Sequence, residues 1–411
     1  MRTTALAVAV IATLVVATPP AAASTGTKII MPALSGRHPV GTAELHLVDQ
    51  RPDPWQPTTD RELMVTVSYP TRAADGERAP WMTSGVATVI DTQATPSLFG
   101  LPPGSVDWAS TRRQALVNVP AARGDWPVVL FSPGFGSLRE LNAGLTDDLA
   151  SRGYVVVSMS HTHESAVVEF PGGRVEPPMV DDDLVDQRKT AIDTRVADTR
   201  FVLDQLGRIA RGENPDAEHD PLPSGLGAVM DLSRVGMFGH SYGGYTAGET
   251  MVHDRRIDAG INVDGSMGYG SADDYRPGEV VTRGLDRPFM LVGGDFVDPV
   301  TGGRIVHSHQ DPGFDPTWAD FWPNQRGWKR DLHFDASTHY SFTDLQIAVP
   351  QLGGLLTPVK QRELVGAIDA TRSLAAQHDY FAAYFDVHLK ERHSPLFRGD
   401  SPRYPDVRFI G

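Results

Sequence analysis

The chain has 411 residues, 40% hydrophobic and 21% charged, with no cysteine and a formal net charge of −14. That composition excludes disordered and collagen-like classes, and the lack of cysteine excludes disulfides, a thiol nucleophile and thiolate metal ligands. The acidic balance argues against nucleic acid or anionic lipid as a partner.

The first 23 residues read as an export signal. Arg2 supplies positive charge, residues 5–17 are apolar but too few to span a bilayer, and Ala21 and Ala23 form an A-x-A cleavage site. The expected product is a secreted protein, a single domain over residues 24–411, with a monomer as the default state. Without disulfides its stability must come from one large core.

Eight short β-rich runs bounded by Gly, Pro and Asp follow at residues 42–50, 61–70, 128–132, 154–161, 235–239, 259–264, 288–293 and 332–336. The middle ones (VVLFS, YVVVSMS, VGMFG, FMLVGG) are continuous apolar runs, as strands covered on both faces are. Helical patterns lie between them. Residues 189–210 place Ile192, Val196, Leu203, Leu206 and Ile209 on one face, with Arg195 and Asp198 as an expected surface pair. Residues 364–389 read as one long amphipathic helix. The expected fold is α/β: a mostly parallel eight-stranded sheet with helices on both faces and an antiparallel edge made by the first two strands. Excursions are expected near residues 79–112, 171–186 and 211–233. The acidic run Asp181–Asp183 lacks calcium-loop spacing and reads as solvated loop.

The segment Gly239-His240-Ser241-Tyr242-Gly243 follows the strand VGMF and precedes a helical pattern. A serine on such a turn needs a strained backbone, and small residues two before and two after it let the helix close onto the strand. Ser241 is the expected nucleophile. Its base should be a histidine, and His339, in the loop ASTHYSFTD beyond the last strand, is the best placed. His240 is expected to pack, His378 and His388 to be structural, and His161 and His163 to be loop histidines near the site mouth; as H-x-H with no third ligand they make a poor metal site. For the carboxylate that orients the base, Asp264, Asp295 and Asp298 all end or follow strands, and spacing does not choose among them. Two aromatic stretches, residues 98–108 and 318–328, read first as packing; exposed, they would suit an acyl pocket or a lipid surface.

Taken together, FSPGFG (131–136), LASRGYVVVSMSH (149–161), GHSYGG, INVDG (261–265) and STHYSFTD (337–344) resemble the platelet-activating-factor acetylhydrolase family of α/β-hydrolases. The resemblance implies an α/β-hydrolase fold and favours Asp264 as the acid. It also implies an oxyanion hole from the backbone N–H groups of Phe135 and Tyr242, and a reaction without metal or cofactor. One departure is Pro133-Gly134 where the family commonly has His-Gly; position 133 is not the donor, so the hole survives while its support changes. The implied activity is a secreted serine esterase acting on small-molecule or lipid esters of short or medium acyl chain. A long-chain lipase or polyester hydrolase is the alternative, and a catalytically silent binding protein the reading of another class.

Overall fold

Residues 26–181, 184–270, 274–297 and 302–411 are described by the structure, a computed structural model. The expected export signal, Asp182, Asp183 and Asp298 lie outside the described residues. In chain order the strands are β1 Val40–Pro52, β2 Asp60–Pro70, β3 Arg78–Pro80, β4 Arg112–Val117, β5 Trp126–Ser132, β6 Val155–Met159, β7 Val168–Phe170, β8 Arg174–Glu176, β9 Met230–His240, β10 Ile257–Val263, β11 Phe289–Gly293, β12 Asp295–Val297, β13 Arg304–Val306, β14 Lys329–Phe334 and β15 Val407–Phe409. Eleven of them form one sheet in the order β15-β14-β11-β10-β9-β5-β6-β2-β1-β4-β3. The run from β6 through β5, β9, β10 and β11 to β14 is parallel throughout.

The eight expected strands are neighbours in this sheet, from β14 to β1, but the sheet carries eleven strands and not eight. Its edges are extended by β15 on one side and by β4 and β3 on the other. The antiparallel pair β1–β2 therefore lies inside the sheet and not at its edge. The added strands have three to six residues, too few to show periodicity against their neighbours.

Alternate side chains of the buried strands feed two cores. Val128, Leu130, Val155, Val157 and Met237 pack under the helices Val185–Ala210 and Tyr242–His253. Val129, Phe131, Val156, Phe238 and Ile261 pack under Ala143–Ser151 and Ala370–Leu389. Each such valine, leucine or phenylalanine contributes about 1.5–3 kcal/mol by leaving water, which is how a chain without disulfides holds together. The expected excursion at 79–112 is a packed helical unit; Trp81, Phe99 and Trp108 are buried there with Leu345, Val349 and Leu364 from the other end of the chain.

Two expected helical features differ. The long C-terminal helix is two helices, Pro358–Val365 and Ala370–Leu389. Gly366 (φ 72°, ψ −164°) breaks the first, and the Asp369 side chain caps the second by accepting from the Arg372 N–H. Arg195 and Asp198 do not pair with each other at the surface: both are wholly buried, Arg195 against Glu164 and Asp198 against Arg61. No helix among the described residues is long and apolar enough to cross a membrane.

Asp344 gives the fold a pH dependence of its own. Its buried carboxylate accepts the Gly144 N–H at 3.0 Å, at the start of the helix Ala143–Ser151. Burial, reinforced by the nearby Asp147 carboxylate, pushes its carboxyl up to about 7. The folded state therefore holds a proton that the unfolded chain releases near pH 4, and stability declines as pH rises from about 4 to 7. Asp344→Asn keeps an acceptor and removes the titration. Urea unfolding should show it gaining on the order of 2 kcal/mol over the parent at pH 8 and little at pH 5; an equal loss at both would contradict the assignment.

Candidate active site

The strand β9 ends at His240 and the helix Tyr242–His253 begins one residue later, so Ser241 must turn the chain within a single residue. It does so at φ 56°, ψ −125°, a conformation that costs an L-residue about 1–3 kcal/mol. The turn closes because its flanks lack side chains. A Cβ on Gly239 would lie 2.1 Å from the Gly243 carbonyl, and one on Gly243 would lie 1.9 Å from the Ser132 oxygen. The Ser241 N–H donates to the Val263 carbonyl at 2.7 Å, which ties the turn to the end of β10.

Asp264 is the next residue after β10 and also has positive φ, 59°. Its buried Oδ2 accepts from His339 Nδ1 at 2.7 Å. His339 opens the short turn His339–Phe342 beyond β14, held by reciprocal bonds between Thr338 and Ser341. With Nδ1–H committed to Asp264, the other ring nitrogen carries the lone pair. The ring remains partly open to solvent, with 28% of its side chain exposed. His240 buttresses it: the ring centroids are 4.4 Å apart and His240 Nε2 bonds the His339 carbonyl at 2.9 Å. Burial, with the neighbouring His339, lowers His240 to about 3 and keeps it neutral.

Asp295 is turned to other partners. It accepts from His333 Nε2 at 2.8 Å, Arg304 Nε at 2.7 Å and the Ala336 N–H at 2.9 Å. Of the two described candidates, Asp264 is the one against His339.

Phe135 lies in the loop after β5, and its ring meets the Tyr242 ring edge-on at 5.4 Å. Gly134 brings that loop against the serine; a Cβ there would sit 3.2 Å from Ser241 Cβ. The N–H of Tyr242, first in its helix, has no acceptor within the helix. The Phe135 loop and the start of the helix thus both lie beside Ser241.

Beneath the loop lies a network that the sequence did not announce. Arg195 donates to the Pro133 carbonyl at 2.6 Å, the Gly134 carbonyl at 3.0 Å and Ser132 Oγ at 3.0 Å, and pairs with Glu164 through two 2.5 Å bonds. His161 bridges Ser132 Oγ at 2.9 Å and Asp198 at 3.0 Å, and Asp198 is held by Arg61. His161 and His163 do lie in the loop after β6, as expected, but both are buried and hydrogen-bonded inside the protein and do not line an open site mouth. His163 turns to Asp53 at 3.1 Å, so the two rings serve different carboxylates. The only sequence signal for Arg195 is a charge on the apolar side of a helix pattern.

His307 was also missed. It is buried between Asp264 and Asp315, with Nδ1 2.8 Å from one and Nε2 3.0 Å from the other. The aromatic stretches follow the packing reading: Trp108, Trp318 and Phe321 are buried, and Trp318 stacks on His307 at 3.9 Å between centroids. Among the described residues one group has metal-ligand spacing, Glu249, His253 and Glu279, but the Glu249 carboxylate is already engaged by the N–H groups of Glu279 and Val280.

A mostly parallel sheet flanked by helices, with a serine on a strained strand-to-helix turn and a paired histidine and aspartate in the segments that follow β14 and β10, defines an α/β-hydrolase. The chain belongs to the platelet-activating factor acetylhydrolase, isoform II family, whose model matches residues 23–393. It is 30% identical over 301 residues to a probable 1-alkyl-2-acetylglycerophosphocholine esterase of Arthroderma benhamiae, covering 69% of this chain and 66% of that protein. It is 23% identical over 272 residues to the platelet-activating factor acetylhydrolase of Cavia porcellus, covering 62% and 56% respectively. The chain thus spans less than two thirds of the length of either curated relative. Among solved structures it is similar to a ferulic acid esterase from Streptomyces cinnamoneus, with a TM-score of 0.71 and 34% identity over 93% of this chain and 99% of that one.

Proposed function

We propose that the protein is a secreted carboxylic ester hydrolase that works through an acyl-enzyme on Ser241. The observation that carries this reading is the strained Ser241 turn set beside the 2.7 Å His339–Asp264 pair. Ser241 Oγ attacks the ester carbonyl carbon while His339 Nε2 takes its proton. The C=O π pair moves onto oxygen, where the N–H groups of Phe135 and Tyr242 stabilise it by about 3–4 kcal/mol each. Collapse breaks the bond to the alcohol, which leaves with the proton from His339. Water then repeats the sequence and frees the acid. Asp264 keeps the proton of neutral His339 on Nδ1 and stabilises the imidazolium.

The family and the named activities of its relatives support a short-chain lipid ester as substrate. Two observations favour a second reading, an ester of an aromatic acid. The esterase from Streptomyces cinnamoneus aligns over nearly the whole chain, and Phe296 lies 5.9 Å from the His339 ring with Phe314 packed on it at 4.4 Å. Turnover of p-nitrophenyl esters from two to sixteen carbons, with methyl ferulate alongside, separates the possibilities. Fastest turnover at two to four carbons is expected. A maximum at long chains or on insoluble substrate would favour the lipase or polyester hydrolase, and methyl ferulate fastest would favour the aromatic ester.

The acid assignment has its own test. Asp264→Asn, with folding verified by circular dichroism, should lower kcat by about 10³- to 10⁴-fold. Asp295→Asn should stay close to the parent, because its partners are His333 and Arg304. The reverse pattern would overturn the mechanism as written.

A further inference from the structure

Asp264 is engaged on both oxygens. Oδ2 faces His339, while Oδ1 accepts from His307 Nδ1 at 2.8 Å and the Gly294 N–H at 3.0 Å. His307 in turn faces Asp315 through its other nitrogen. That second carboxylate is saturated with donors: the Thr317 N–H at 2.9 Å, the Thr317 hydroxyl at 2.6 Å and the Ser266 hydroxyl at 2.8 Å. A neutral imidazole has one N–H and one lone pair, so it cannot donate to two carboxylates. The ring is wholly enclosed, stacked on Trp318 and edged by Phe296 and Phe314.

We infer that His307, backed by Asp315, is a positioning residue of this site: a buried imidazolium that clamps Oδ1 of Asp264 and so aims Oδ2 at His339. The inference rests on the Ser241–His339–Asp264 mechanism proposed above. Burial opposes the charge, but the bonds to Asp264 and Asp315 outweigh it and push His307 up to about 10. The same donors hold Asp264 well below the usual carboxylate range despite its burial. Asp264, Asp315 and His307 together then carry one net negative charge, which is offset when His339 takes the serine proton. The other titratable groups packed here are His240, kept neutral against the His339 ring, and the His309–Asp331 pair two residues along the His307 segment.

Two measurements test this on the full-length protein. In NMR spectra of ¹⁵N-histidine-labelled protein at pH 8, both ring nitrogens of His307 should carry protons; a neutral ring would overturn the inference. His307→Gln retains a donor for Asp264 but removes the charge. Its kcat should fall about 10- to 100-fold with KM nearly unchanged, the loss expected when a hydrogen bond to a buried charge is weakened. The sign of the pH effect follows from the lost positive charge: protonation of the site becomes more favourable, and the acid limb of kcat/KM moves up by about one pH unit.

A folded His307→Gln protein with parental kcat and acid limb would overturn the inference. Should that variant not fold, Asp315→Asn takes its place, with loss of double protonation on His307 at pH 8 and a lower kcat expected; a parental result on both counts would overturn the inference equally. Fluorophosphonate labelling distinguishes the two levels. A parent protein that does not label at Ser241 defeats the mechanism itself, whereas normal labelling with an unaffected His307→Gln defeats only the role of His307.

Discussion

Ser241→Ala is expected to lose about 10³-fold or more in kcat while remaining folded, because the variant removes the attacking oxygen and little else. What survives in such a variant is the rate from substrate binding and the backbone donors. The serine also occupies a conformation that only glycine adopts cheaply. Ser241→Gly should therefore be equally inactive yet more stable than Ser241→Ala, by about 1 kcal/mol in urea unfolding. Turnover and fluorophosphonate labelling decide the first point. Retained activity in either variant would remove Ser241 from the mechanism, and a less stable glycine variant would show that the turn stores no strain.

The second large effect is expected at Arg195. Arg195→Met should destabilise the protein by about 3–5 kcal/mol, since it leaves the Glu164 carboxylate buried without its partner. Adding Glu164→Gln removes that stranded charge and should recover most of the loss. Activity should not recover with it. Arg195 also holds the Pro133 and Gly134 carbonyls, and these set the loop that carries the Phe135 N–H. The double variant is expected to unfold near the parent midpoint while its kcat stays reduced with KM little changed. If both quantities return, Arg195 is a charge partner and nothing more.

This network also explains how the chain manages with Pro133 in the loop. Proline cannot donate, so any support that came through an N–H at this position is gone. Here the loop is held through its carbonyl oxygens by a guanidinium below it, and that guanidinium is balanced by Glu164 and linked through Ser132 and His161 to Asp198 and Arg61. Such a network is costly to break and adds little net stability when intact. Its benefit lies in the one loop geometry it permits.

Much of the scaffold was legible because local rules encode it. Eight runs of β-rich sequence became eight neighbouring strands, and the doubly covered ones announced themselves by apolar runs without alternation. The strands of the main sheet that went unread, β3, β4 and β15, are short and take their shape from the edges they join. The final helix was read as one because its apolar spacing continues across Gly366, although the chain turns there. Arg195 and Asp198 were read as a surface pair because charge three residues apart on a helix is ordinarily solvated. Only the folded chain shows Glu164 and Arg61 waiting for them.

By itself, then, the sequence determined the mostly parallel sheet and the serine turn, since Gly239, Ser241 and Gly243 must satisfy a steric demand confined to five residues. Spacing did not choose which carboxylate faces His339; the family resemblance favoured Asp264, and tertiary structure shows it there. Asp264 and Asp295 both stand at strand ends, and their difference lies in what the fold brings to each: His339 and His307 to one, His333 and Arg304 to the other. Apart from Arg304, which reaches Asp295 across the β12–β13 pair, those partners come from distant parts of the chain, and the fold, which no local spacing records, is what puts them side by side.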